Sequence, residues 1–148
     1  MKIIFLDFNG ILDTWENMDE IDENNFNRLK KLIEETGANV VYSSSNRYSR
    51  FGKQIMLDLI SRGINVIGVT PKLGERELEI KSYLEAHPDI ENYCILDDDY
   101  DMESMKDHLV KLPLQSEGSL GFTEEYYIQA LNILGMKIDK EYVGYGRR

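Results

Sequence analysis

Apolar positions fall into two rhythms along this chain. Short unbroken apolar runs occupy 2–7 (KIIFLD), 39–43 (NVVYS), 65–69 (NVIGV), 93–97 (YCILD) and 108–111 (HLVK). Runs that are apolar throughout, rather than alternating, suit parallel strands buried on both faces. Between them lie longer stretches with a helical period. "DENNFNRLKKLIEETG" puts Phe26, Leu29, Leu32 and Ile33 on one stripe and stops at Gly37. "RFGKQIMLDLISRG" repeats the pattern and stops at Gly63, and "ERELEIKSYLEAHP" ends before Pro88. "TEEYYIQALNILG" opens at Thr123, a favoured N-cap, with acids in its first turn. Strand and helix alternate, which predicts an α/β fold: a doubly wound, mainly parallel five-stranded sheet with right-handed crossovers. One domain is expected over 1–148, with its core in 1–134 and a loosely held tail at 135–148.

In open sheets of this kind ligands sit beyond the carboxyl ends of the strands, so the residues that follow each run matter most. After the first come Asp7, Asn9 and Gly10; after the second, Ser43, Ser44, Ser45 and Arg47. After the third come Thr70, Lys72 and Arg76; after the fourth, Asp97, Asp98, Asp99 and Asp101. Acids of the first and fourth loops offer oxygen ligands for a hard divalent cation. Hydroxyls, backbone amides and a cationic side chain of the other two suit phosphoryl oxygens. Each loop alone has an ordinary reading, as a turn acid, a serine helix cap, a solvated acidic loop or surface charge. Their joint placement on one sheet edge is what favours chemistry.

Other phosphate sites are excluded. There is no G-x-x-x-x-G-K-[ST], "DFNGIL" is not G-x-G-x-x-G, and an EF-hand fails at Met102 and His108. A receiver-type domain needs its acceptor aspartate after the third strand, where this chain has "GVTP".

Composition narrows the partners. The 17 Lys and Arg stand against 27 Asp and Glu, a net charge of −10, with no basic stripe, so strong non-specific nucleic-acid binding is not expected. No run approaches a membrane span, and "MKIIFLDF" meets an acid too soon for a secretory signal. The single cysteine, Cys94, lies in an apolar run and reads as a buried thiol. These features together point to the cytoplasm.

The motifs resemble the haloacid dehalogenase superfamily of phosphohydrolases. "FLDFNGIL" matches its D-x-D-G-x-[LVI] motif apart from Asn9, "VVYSSSNR" its strand ending in Ser or Thr, and "CILDDDYDM" its strand ending in paired acids. "SSSNR", "IGVTP", "RELEIKSYL" and "LGFT" look more narrowly like the small branch fused in Swiss Army Knife RNA repair proteins, from Met1 to about Leu134. The resemblance implies a Rossmannoid phosphatase, and the short segment from Ile11 to Ala38, ending in a core helix, leaves room for a small flap but no helical cap, so a capless site is expected. Asp7 would be the nucleophile, and Ser43, Ser44, Asn9 and Gly10 the phosphate-binding set. Arg76 or Lys72 would be the stabilising cation. Asp7, Asp97 and Asp98, with the backbone carbonyl of Asn9, would hold Mg²⁺. The implied substrate is phosphorylated, a small molecule or a nucleic-acid end, with Trp15 and Phe51 near the mouth as candidates for stacking. A partner copy covering the open site is left open.

Asn9 stands where the resemblance expects the acid that protonates the leaving group and then activates water. An amide neither gives nor takes a proton at neutral pH. Three explanations stand: a substitution made to trap a complex, a natural one tolerated by a good leaving group, or a non-catalytic phosphate-binding or regulatory module on the same scaffold.

Overall fold

The computed structural model describes residues 1–98 and 102–135. Strands β1 (Lys2–Leu6), β2 (Asn39–Tyr42), β3 (Val66–Val69), β4 (Asn92–Asp97) and β5 (Leu109–Lys111) alternate with helices α1 (Glu23–Thr36), α2 (Arg50–Ser61), α3 (Arg76–Ala86) and α4 (Glu124–Leu134). The strands form one sheet in the order β3-β2-β1-β4-β5, every pair parallel. The fold class read from the pattern is the one observed.

Side-chain alternation across the sheet sorts the core into two layers. Ile4, Leu6, Val40, Tyr42, Cys94 and Leu96 face one way and pack with Leu29 and Leu32 of α1, Leu59 of α2 and Leu131 of α4. Ile3, Phe5, Val41 and Ile95 face the other, against Ile80 and Tyr83 of α3 and against Met102 and Met105. Such a strand must be apolar at consecutive positions, which explains the unbroken runs. β3 departs from that expectation. It is an edge strand, only half-buried, with Ile67 exposed.

Helix ends follow local chemistry. The Asp22 carboxylate accepts from the Asn25 amide and caps α1. Gly37 then ends that helix at φ +74°, its N–H donated to the Ile33 carbonyl. Ser49 caps α2 through the Gly52 amide. Thr123 holds the N-cap position of α4, but its side chain makes no capping bond. His108, taken as strand from the sequence, belongs to a 3-10 turn, Glu103–His108, and β5 begins at Leu109. The 135–148 tail falls, after Gly135, outside the described residues.

Register sets the stage for function. Leu6 lies opposite both Tyr42 and Leu96, and Tyr42 opposite Val69. The next residue of each strand therefore emerges level with its neighbours, giving the row Thr70, Ser43, Asp7, Asp97 across the carboxyl edge. Backbone bonds continue the ladder through this row: Asp7 N–H to Leu96, Ser43 N–H to Leu6, Thr70 N–H to Tyr42. The chain winds away from β1 in both directions, so Asp7 and Asp97 flank the point where strand order reverses, the usual ligand crevice of open sheets. No helix is inserted between β1 and α1, where the only extra pairing is the Thr14–Asn17 bridge. The edge is uncapped from that side.

Candidate active site

All four side chains of the row are buried and polar. Burying a polar group without a partner costs free energy, so each needs an account. Asp7 has one: its Oδ1 accepts the Phe8 amide at 2.8 Å, the Ser44 hydroxyl supports it, and Arg76 Nη1 stands 3.7 Å from its Oδ2. Asp97 is ion-paired directly with Arg76. The Ser43 and Thr70 hydroxyls have no hydrogen-bond partner among the described residues. Two orphaned donors on the same sheet edge as the Asp7 carboxylate are what an anion with several acceptor oxygens would satisfy.

Asp98 completes an acidic cluster. One carboxylate oxygen from each of Asp7, Asp97 and Asp98 lies within 4.8 Å of the others. Burial raises the Asp7 carboxyl to about 6, against Arg76, which lowers it, with Asp98 adding to the rise. Asp98 also rises to about 6, first through burial and then through the charge of Asp97. Three carboxylates facing one guanidinium leave an excess of two negative charges, which a single divalent cation balances. All donors are hard oxygens, the set Mg²⁺ prefers. The residues fit the ion that the sequence resemblance implies. Gly10 makes room for the cluster: at φ +83° it takes a backbone conformation that disfavours side chains, and a Cβ there would sit 3.1 Å from Asp98 Oδ2.

The cations now separate. Arg76, the first residue of α3, reaches both Asp7 and Asp97, whereas Lys72 is exposed and makes no ion pair with a described residue. The geometry favours Arg76 as the cation of the acidic cluster.

Asn9 is half-buried, and its Nδ2 donates to Asp13 Oδ2 and Asp19 Oδ1, both at 2.8 Å. Carboxylates only accept, so this pair fixes which end of the amide faces them. Asp13 is fully buried and also accepts from the Gly10 amide, the Asp19 amide and the Gln115 side chain. Asp19 carries the only positive φ, +69°, of any non-glycine residue described. An acid at position 9 would put a third carboxylate against these two, so the amide suits its surroundings. Neither Asp13 nor Asp19 was recognisable in advance, because only the fold of the 10–22 loop brings them back to Asn9.

A second buried arrangement was also hidden. Arg47 pairs with Glu79 of α3 at 3.1 Å, both side chains buried. Its Nε donates to the Thr70 carbonyl, Nη1 to Ser44 and Nη2 to Pro71, while Glu79 Oε2 accepts the amides of Leu73 and Gly74. The one signal in the sequence was an acid, Glu79, beside Ile80 on the buried stripe of α3.

Phe51 is partly exposed and packs edge-to-face on Phe8 at 6.0 Å, while Trp15 is half exposed. Asp99 and Asp101 lie outside the described residues. Cys94 is buried, and burial pushes its thiol pKa up, so it is inert as a nucleophile. No described helix is long and apolar enough to cross a membrane.

A family model described as the HAD domain in Swiss Army Knife RNA repair proteins matches residues 3–127. No curated protein and no solved structure matches the chain.

Proposed function

The chain belongs to the HAD-domain family of Swiss Army Knife RNA repair proteins, which places it broadly with the HAD-type phosphohydrolases, and we propose that it is a magnesium-dependent phosphoric monoester hydrolase acting through Asp7. The carrying observation is the convergence of Asp7, Asp97 and Asp98, from two strands some ninety residues apart in sequence, within 4.8 Å. These side chains, with the Asn9 backbone carbonyl, would hold the ion. When bound, Mg²⁺ neutralises charge between the carboxylate and the phosphoryl group and orients the two.

Asp7 attacks phosphorus in line. A bond forms between its carboxylate oxygen and phosphorus as the ester P–O bond breaks, giving an aspartyl-phosphate and an alkoxide. Ser43, with its unpartnered hydroxyl, donates to a phosphoryl oxygen, Ser44 turns its one proton from the Asp7 carboxylate to the phosphoryl group as Asp7 attacks, and the Gly10 backbone closes against the group. Arg76 turns its charge onto the same oxygens as it develops. Asn9 supplies no proton, so the alkoxide takes one from solvent, and water hydrolyses the intermediate without a side-chain base at this position. Phosphates with acidic leaving groups are therefore the better substrates, and the open edge admits large ones.

Soaking with Mg²⁺ and beryllium fluoride tests this reading. Density bonded to an Asp7 carboxylate oxygen, with a cation among the three acids, is expected. A fluoride complex held away from Asp7 would favour a non-catalytic phosphate-binding module.

Restoring the acid should be informative. Asn9→Asp is expected to raise turnover of alkyl phosphates at least tenfold, because a positioned general acid is typically worth roughly 10²–10⁴-fold. The same variant should melt lower, having lost two hydrogen bonds and gained a like charge beside Asp13 and Asp19. Steady-state assays showing an Asp variant no faster than wild type would remove the proton-transfer argument.

The acidic cluster also predicts a pH signature. The Asp7 and Asp98 carboxyls sit at about 6 in the folded chain against an ordinary 3.8, so ionising them works against the fold. In metal-free protein this contribution is absent below pH 4 and grows more destabilising as pH rises through 6. Mg²⁺ binds the ionised form. The Tm gain on adding saturating Mg²⁺ should thus be small at pH 5 and larger at pH 7.5, as measured by calorimetry; equal gains at both would contradict it.

A further inference from the structure

Beside the acidic cluster a second cavity opens, of about 320 Å³, lined by Ser45, Arg47, Lys72, Gly74, Arg76 and Glu79. That volume lies within the range of small-molecule sites, roughly 300–1,000 Å³, and exceeds what one phosphoryl group needs. Arg76 borders both spaces, since it lines the cavity and stands 3.7 Å from Asp7. Whatever fills the cavity therefore adjoins the reacting group.

The charges of the lining are unevenly committed. Arg47 and Glu79 neutralise each other, and Arg76 faces Asp7 and Asp97. Lys72 makes no ion pair among the described residues and contributes a net positive charge to the wall of a chain that carries −10 overall. Its backbone is nonetheless held on both sides. Arg47 binds the carbonyls of Thr70 and Pro71 before it, and Glu79 binds the amides of Leu73 and Gly74 after it. The segment that carries this exposed lysine is thus fixed by a buried ion pair, so the ordering cost of taking a ligand falls on the side chain and not on the backbone.

We propose that this cavity is a second anion site, in which Lys72 and Ser45 receive an additional phosphate of the substrate while Arg76 serves the scissile one. The substrate class is then a phosphomonoester that carries a second phosphate across Arg76 from the scissile one, as a nucleoside bisphosphate does. The assignment rests on the phosphatase reading for which phosphate is cleaved, but not for binding itself.

Calorimetric titration of the full chain with Mg²⁺ tests it, comparing adenosine 3′,5′-bisphosphate with adenosine 3′- and 5′-monophosphates. The bisphosphate should bind wild type at least about tenfold more tightly than either monophosphate, the order of one added charge-assisted contact. Lys72→Gln should remove most of that preference and Lys72→Arg should keep it. Equal affinities in wild type, or a preference that survives Lys72→Gln intact, would overturn the proposal. Released phosphate, followed in the same samples, reports separately on hydrolysis: selective binding without release sinks the phosphatase reading and leaves this site standing.

Discussion

Asp7→Asn is expected to lower kcat by roughly 10⁴-fold or more, the scale seen when a covalent nucleophile is removed. The amide keeps the shape of the carboxylate but is a far poorer nucleophile towards phosphorus, and it gives up one of the three acids that gather within 4.8 Å. Loss through unfolding can be told apart from loss of chemistry. Asp7 is buried with its carboxyl raised to about 6, so its charge opposes folding at neutral pH. A neutral isostere should leave the metal-free Tm at pH 7.5 equal to or above that of wild type. Acid-quenched wild type should carry phosphate on Asp7 by mass spectrometry, and the variant none. A variant that folds and still turns over at near wild-type rate would dismiss Asp7 as the nucleophile.

Removing Arg47 should have the largest effect on stability. Arg47→Met strands the Glu79 carboxylate and removes the guanidinium donor of the Pro71 carbonyl, while the Ser44 carbonyl keeps the backbone amide of residue 47. Breaking one partner of a buried pair typically costs about 3–5 kcal/mol. For a chain of this size that corresponds to a Tm drop on the order of 10 °C or more. Thr70 retains the Tyr48 hydroxyl, so the loss should be concentrated around Glu79 and the loop after β3. Pairing the change with Glu79→Gln should recover part of the loss, because the stranded charge goes with it. A double variant as unstable as the sum of the singles would mean that the two side chains act independently.

The residues that follow the strands were legible because parallel strands advertise themselves as unbroken apolar runs, and the first polar residue after each run marks the sheet edge. Asp7, Ser43 and Asp97 were found that way. The choice between Lys72 and Arg76 was not legible. Both follow the third strand within a few residues, and although the pattern places Arg76 at the start of a helix, it does not record that this end of α3 turns the guanidinium onto Asp7 and Asp97. The partners of Asn9 were hidden for a related reason: Asp13 and Asp19 return to it through a loop whose path no periodicity records. Glu79 looked like one more acid on a charged helix. Its burial follows from Arg47, thirty-two residues earlier, which supplies the countercharge that an interior carboxylate requires.

The level row of strand ends has a consequence for how the proposed site is assembled. β1 separates the hydroxyl-bearing half of the sheet, β2 and β3, from the half that brings Asp97 and Asp98. A partly folded chain lacking the β1–β4 pairing would display a carboxylate and two hydroxyls with nothing to gather a cation. On the proposed reading, chemistry therefore requires the β1–β4 seam to be closed, since only that pairing sets Asp97 beside Asp7.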